Sequence, residues 1–454
     1  MRVLLIQPTP NTIPLGFDRA ALPEPLGLEI IAASIPDHDV KIHDLRIDPN
    51  LEAVLESFVP DIVGVTGFTM DVYSALDVLK RAKEYSEEIF TIAGGHHATL
   101  VPTDFYQPYV DAICLGDGEA VLPQLVSHDL KRIPNLIWRD GIKYVDNGRV
   151  FEKPGSEIEI PIPRRDLIDG SHYHFYSDPM AAMLTGRGCP CRCNFCSVWQ
   201  FNGGVVRQLS AERVVRELRT IDCDRIGFVD DNLLINYKRD DEIADRIKAE
   251  GLEREFLMQC RTDCIVKHKD LVEKWVDIGL MGVLVGFESA SNDLLQLVNK
   301  KNDIETNNRA IKILQDLDVI IWAAFIIDPR WGVDDFRRLE QYIIEHQLTP
   351  IQYTVLTPLP GTDLYEERFD DLLTHDYRCF DTLHSVLPTK LPREQFYREL
   401  ARLQGLRHMG KWYEWLSSGK VGINILRCGS GIAKQLSNWE SYVEFDPVLG
   451  GFTK

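Results

Sequence analysis

The chain reads as an α/β protein: two successive units of alternating strands and helices, followed by a helical C-terminal region. Three observations predict this. Short apolar runs alternate with amphipathic helical stretches over residues 1–140, which predicts a doubly wound parallel sheet. The same alternation resumes at Ala181 and yields six strand–helix units by residue 375. A proline- and glycine-rich stretch, 141–180, lies between and reads as a linker. The remaining residues, 376–454, form the C-terminal region.

In the first unit, strands are expected at 2–7, 61–67, 89–93 and 111–115, each a brief apolar run ended by proline, glycine or charge. Helical patterns fall at 51–58 and 72–85. Ligands of such sheets sit beyond the carboxyl ends of the strands. Those ends carry Thr66-Gly67, Gly94-Gly95-His96-His97 and Gly116-Asp117-Gly118-Glu119. Glycine there lets backbone approach a large ligand closely, although glycine after a strand is also an ordinary turn residue.

In the second unit the expected strands are 181–184, 225–229, 255–259, 281–287, 320–327 and 352–356. Six units do not close the usual eight-stranded barrel, so a partial (β/α)6 barrel is predicted. Polar residues cluster where these strands end. Asp230-Asp231-Asn232 follows the second, Arg261 and Asp263 the third, Glu288 the fourth and Thr357-Pro-Leu-Pro-Gly361 the sixth. For Asp231 and Glu288 the alternative to ligand binding is helix N-capping.

Directly after the first of these strands comes Gly186-Arg187-Gly188, then Cys189-Pro-Cys-Arg-Cys193-Asn-Phe-Cys196. Cys189, Cys193 and Cys196 form CxxxCxxC. Three thiolates at this spacing suit a [4Fe–4S] cluster with one iron left open, since such clusters normally take four cysteines. Structural zinc needs a second cysteine pair or histidines to close its tetrahedron, and no second CxxC occurs. The opening MRVLLIQPTP lacks a signal-peptide pattern, so a reducing cytoplasm is expected rather than disulfides. Cys191 reads as a bystander, with a shift of the ligand set to CxC as the alternative. The other six cysteines are scattered and read as core or surface thiols.

Composition narrows the class. A chain of 454 residues, 44% hydrophobic and 26% charged, is a soluble globular enzyme by these measures. Its longest apolar run, 319–327, is far too short for a membrane span. A net charge of −19 excludes nucleic acid as a partner of the body. From Arg402 to Leu436, by contrast, six basic residues stand against one acid, interleaved with Trp412, Tyr413 and Trp415. That pattern fits either peripheral contact with an anionic membrane or a helix packed on the acidic body.

The CxxxCxxC with Phe195 before its last cysteine resembles the signature of the radical S-adenosylmethionine (SAM) superfamily. The glycine-bearing strand ends of residues 1–140 resemble the cobalamin-binding domain that precedes many radical SAM domains. An Asp-x-His-x-x-Gly motif is absent, which implies a cobalt whose lower face lacks a protein histidine. His96 is then a contact to the corrin edge or a plain loop histidine. The resemblance implies a cluster on Cys189, Cys193 and Cys196. It implies SAM against Phe195, Asp230, Asp231, Asn232, Arg261 and Glu288. It implies cobalamin against Thr66, Gly67, Gly94, Gly95, His96, Gly116, Gly118 and Glu119.

Residues 376–392 and Asp328-Pro-Arg-Trp331 are similar to segments of hopanoid methylases, and methylases of bacteriochlorophyll side chains are built alike. Cys191 departs from these relatives, which carry an aromatic there. The implied activity is C-methylation of an unactivated carbon in a large apolar, polycyclic substrate. It draws on methylcobalamin, a 5′-deoxyadenosyl radical and a low-potential electron donor. The alternatives are a tetrapyrrole methylase or oxidative cyclase of the same build and, from another class, a non-enzymatic cobalamin or iron–sulfur sensor.

Overall fold

The computed structural model describes residues 1–9, 21–126, 129–151, 153, 155–175, 178–405 and 438–444. Its first sheet has seven strands: β1 Arg2–Gln7, β2 Asp39–Asp44, β3 Ile62–Val65, β4 Phe90–Ala93, β5 Ala112–Cys114, β6 Leu136–Asp140 and β7 Lys143–Asp146. Their order is β2-β1-β3-β4-β5-β6-β7. The first five run parallel and the last two antiparallel. Helices cover both faces. Leu4, Ile6, Val63 and Val65 join one core, and Val3, Leu5, Ile62 and Ile92 the other.

Three strands lay beyond the sequence reading. β2 (DVKIHD) alternates charged with apolar residues, as an edge strand does, so it offers no apolar run. β6 and β7 form a hairpin around Gly141, whose φ is +64°. The sheet therefore continues into the stretch read as linker.

The second sheet has six strands, all parallel and in sequence order: β8 Ala181–Met183, β9 Arg225–Phe228, β10 Glu255–Cys260, β11 Leu280–Glu288, β12 Ile320–Ile327 and β13 Ile351–Val355. It is open, with β8 and β13 at its edges. Outward residues pack under helices. Trp275, wholly buried, meets Phe228 and Phe256 edge-on at 5.5 and 5.8 Å between ring centroids.

The edge strand β8 is covered by charge. Glu24 Oε1 accepts the Ala182 amide at 2.9 Å, and Arg165 Nη2 donates to the Ala182 carbonyl at 2.7 Å. Arg165 also pairs with Glu217 at 2.9 Å. Residues from the chain start and the connector thus close the edge of the second sheet.

The connector is structured elsewhere too. His174–Phe175 pairs with Asp178–Pro179 and with Ala21–Leu22 in a small antiparallel sheet. In the C-terminal region, Arg393–Gln404 and Trp439–Glu444 are helical, while 376–392 is irregular apart from one short turn. The basic and aromatic tail lies outside the described residues except Arg402–Gly405. Arg402 itself is paired with Glu340 at 2.6 Å and with Glu399 at 2.9 Å. No described helix is long and apolar enough to cross a membrane.

Candidate active site

The two sheets meet through their carboxyl-end loops. In the first sheet the order reverses between β1 and β3, the switch point at which such sheets bind ligands. A cavity of about 200 Å³ opens there. Thr66, Gly94, Gly95, Gly116, Gly118 and Glu119 all line it, together with apolar Leu28, Ile31 and Leu122. Two of these glycines are obligatory. Gly95 has φ +87°, and a Cβ on it would run into Thr66 Oγ1; Gly116 has φ +81°. Thr99, not singled out in the sequence, ties the loops together. Its hydroxyl donates to the Gly95 carbonyl at 2.7 Å and accepts the Gly116 amide at 2.9 Å. Gly67 packs on Asp71 beside this rim.

His96 does not line the cavity. Its ring stacks on Phe201 at 5.0 Å, and its Nε2 lies 2.6 Å from Ser197 Oγ. Burial pushes His96 down to about 4, with His97 adding to the effect, so the ring is neutral. Glu119 also faces the second domain. Its carboxylate accepts from Arg187, which pairs with Asp117 at 2.8 Å; Arg207 also pairs with Asp117. The glycine-rich loop is thereby bolted to Gly186-Arg187-Gly188, immediately ahead of the cysteines.

The cysteine loop lies at the carboxyl end of β8. Cys193 is 6% exposed, and Arg261 Nη1 stands 3.9 Å from its sulfur. Burial raises the Cys193 thiol, while Lys300 and Arg261 pull it back down. The neighbouring Cys189 and Cys191 thiols interact, which lowers Cys191 to about 6 and pushes Cys189 up. Burial pushes Cys196 up to about 11. Among the described residues no three His, Cys, Asp or Glu gather closely enough to hold one metal ion. A four-iron cluster takes each cysteine on a different iron, so its ligands stand further apart than those of a single ion. Three thiols on one loop beside buried Arg261 and Lys300 fit that larger, anionic group.

The strand-end residues converge on this loop. Asp231 Oδ2 accepts the Gly188 amide at 3.0 Å. Asn232 Oδ1 accepts the Arg261 amide at 3.2 Å, and its Nδ2 faces Cys264 Sγ at 3.3 Å. Asp230 accepts from Thr185 N at 2.9 Å and from Thr185 Oγ1 at 2.7 Å. Burial raises Asp230 to about 6. Its observed part is to hold the start of the cysteine loop on β9. Arg261 is engaged as well, with Asp263 at 2.9 Å and the Lys300 carbonyl at 2.8 Å. Phe195 packs with Leu294, Ile326 and Leu356.

Glu288 ends β11 at a register shift, with φ +63°. Bulges re-aim side chains next to active sites, and a non-glycine residue at positive φ must be held there. Lys300 holds it, with Nζ 2.6 Å from Oε1 and both side chains nearly buried. A Cβ at Gly286 would run into the same carboxylate. Burial pulls the Lys300 ammonium down, but Glu288 more than offsets it and the net shift is upward. The sequence reading missed Lys300. It follows a helix rather than a strand, and only its pairing with Glu288 marks it.

The comparisons agree with this architecture. Residues 15–126 match the B12 binding domain family, and residues 183–343 match the Radical SAM superfamily. The chain is 31% identical to the hopanoid C-3 methylase of Methylococcus capsulatus, over 99% of this chain and 88% of that one. It belongs to the cobalamin-binding radical SAM family. The bacteriochlorophyllide d C-12(1)-methyltransferase of Chlorobaculum tepidum is 25% identical over 99% of this chain and 93% of its own. Among solved structures, the cobalamin-dependent SAM radical enzyme OxsB superposes with a TM-score of 0.72 at 15% identity, covering 98% of this chain and 79% of that one. That last likeness speaks for the fold. The chain is an enzyme of the radical SAM methyltransferase kind, and its cofactors are cobalamin, a [4Fe–4S] cluster and SAM.

Proposed function

We propose that this enzyme methylates an unactivated carbon of a large, apolar, polycyclic substrate of the hopanoid kind. The observation that carries this reading is the 31% identity to a hopanoid C-3 methylase across 99% of the chain, C-terminal region included. When bound, the cluster supplies the electron that cleaves SAM, and cobalamin carries the methyl group to be transferred.

The chain's own residues bind, orient and exclude water. Cys189, Cys193 and Cys196 hold the cluster, with Arg261 and Lys300 offsetting its negative charge. Phe195, Asp231, Asn232, Arg261 and Glu288 form the SAM side of the site, and Asp230 positions the loop beneath it. Thr66, Gly67, Gly94, Gly95, Gly116, Gly118 and Glu119 form the cobalamin side. His96 and Glu119 lock that side to the cluster loop, which keeps the two cofactor faces at a set separation. A low-potential one-electron donor serves as reductant, and the protein acts in the cytoplasm.

A second reading, methylation of a tetrapyrrole side chain, is favoured by the 25% identity to a bacteriochlorophyllide methyltransferase over nearly the whole chain. Incubating the reconstituted enzyme with methyl-labelled SAM and either hopanoid or chlorin extracts separates the two. Label in the hopanoid fraction supports the first reading. Label confined to chlorins overturns it.

A further inference from the structure

The concave face of the second sheet is left unfilled by its own side chains. Outward Phe256, Met258, Val283, Val285, Ile321 and Ala323 are at most 4% exposed. Their inward neighbours Leu257, Leu284 and Trp322 stay partly exposed. In a closed (β/α)8 barrel that inner space is packed in layers. Here it is a cavity of about 340 Å³, lined from Met180 beside β8 across to Gln352 on β13. That lies within the roughly 300–1,000 Å³ of ordinary ligand pockets. Among the described residues its walls are mainly apolar, with Met180, Leu257, Leu284 and Ile320 beside Gln259, Gln352, Tyr353 and Gln404.

The cavity has a floor. The Phe175 ring lies against Trp322 at 4.7 Å between centroids, tilted by 47°. Phe175 belongs to the small antiparallel sheet, and that sheet is pinned to the base of β9 by Arg225 and Asp178 at 2.6 Å. Trp322 sits five residues before the end of β12, and Leu284 four before Glu288. At about 3.3 Å per residue the floor lies roughly 13–17 Å below the strand-end residues. Any ligand that spans this distance is elongated and mostly hydrocarbon.

We infer that this chamber receives the far end of the substrate, and that Phe175 and Trp322 set the length of hydrocarbon the site accepts. The inference deepens the methyltransferase reading and rests on it for what happens at the other end of the molecule.

The test is calorimetric titration of the reconstituted holoenzyme with a series of 1-alkanols from octanol to tetradecanol. Affinity is expected to rise with chain length and then level off where the chain meets the floor. Trp322→Ala is expected to move the plateau to chains longer by about two carbons, and Gly282→Leu to weaken dodecanol binding by about tenfold. Phe175→Ala repeats the floor test should Trp322→Ala not fold, and corrin absorbance reports that each variant still takes up cobalamin. Absence of alkanol binding overturns the inference. So does a plateau that ignores residues 175 and 322, or unchanged dodecanol binding in Gly282→Leu. SAM consumption by the same preparations keeps the two claims apart. Methyl transfer without alkanol binding removes the chamber alone, whereas alkanol binding without SAM consumption removes the methyltransferase reading alone.

Discussion

His96 Nε2 lies 2.6 Å from Ser197 Oγ, one residue past Cys196. The glycine loop of the first domain therefore touches the cysteine loop of the second directly. Asp117 and Glu119 on Arg187 and Arg207 make a second connection between the same loops. The two faces proposed for the cofactors are joined by side chains 68 to 101 residues apart in the chain.

The His96 contact predicts a pH dependence. Burial holds its folded value near 4, against an ordinary 6.5. The unfolded chain then binds the proton first as pH falls, so stability is complete above about 6.5 and declines toward 4. Chemical unfolding at several pH values should show this decline reduced in His96→Phe, which keeps the ring stack. An identical pH profile in the variant contradicts the assignment.

Arg187 is placed to matter more than any surface cation. Arg187→Met leaves Asp117 and Glu119 with less compensation in a largely buried setting. Breaking such a pair costs about 3–5 kcal/mol. Thermal unfolding should start lower, and cobalamin uptake should fall with it. Unchanged cobalamin binding and melting would show the bridge to be dispensable.

For Lys300 and Glu288 the expected signature is non-additive. Lys300→Met strands a buried carboxylate, at a cost of about 3–5 kcal/mol. Adding Glu288→Leu should recover most of that stability, because a matched apolar pair needs no charge partner. SAM cleavage, measured as 5′-deoxyadenosine, should stay impaired in both variants. Simple addition of the two losses in stability contradicts the pairing.

The cysteines are separable by iron content. Cys193→Ala and Cys196→Ala should lose the cluster and its SAM cleavage. Cys191→Ala should keep about four irons per chain, the complement of one [4Fe–4S] cluster. Loss of iron from Cys191→Ala, with retention in Cys189→Ala, would move the ligand set to the CxC alternative. The interaction between the Cys189 and Cys191 thiols makes this comparison informative.

Much of this was legible in residue order, and the exceptions share a cause. The buried parallel strands announce themselves as apolar runs bounded by glycine or charge, and the cysteine spacing marks the cluster loop. β2 escaped notice because an edge strand keeps its charges. Lys300 escaped because its meaning lies in a contact with Glu288 across a helix. Asp230 sits at a strand end, and its bonds to Thr185 across to the neighbouring strand are a contact that residue order does not show. His96 and Glu119 follow strands of the first domain, and Glu119 lines the cavity there, but each also has a contact that residue order does not show. Their partners, Ser197 and Arg187, belong to the other domain, and no local pattern encodes such a pairing.

The most direct test of the methyltransferase reading requires no substrate. Protein reconstituted without oxygen with iron, sulfide and cobalamin is given a strong reductant and SAM, and the products are quantified by mass spectrometry. The account predicts S-adenosylhomocysteine in proportion to bound cobalamin, together with 5′-deoxyadenosine. Deoxyadenosine alone would leave radical chemistry without methyl transfer, and neither product would leave a sensor; either result contradicts it.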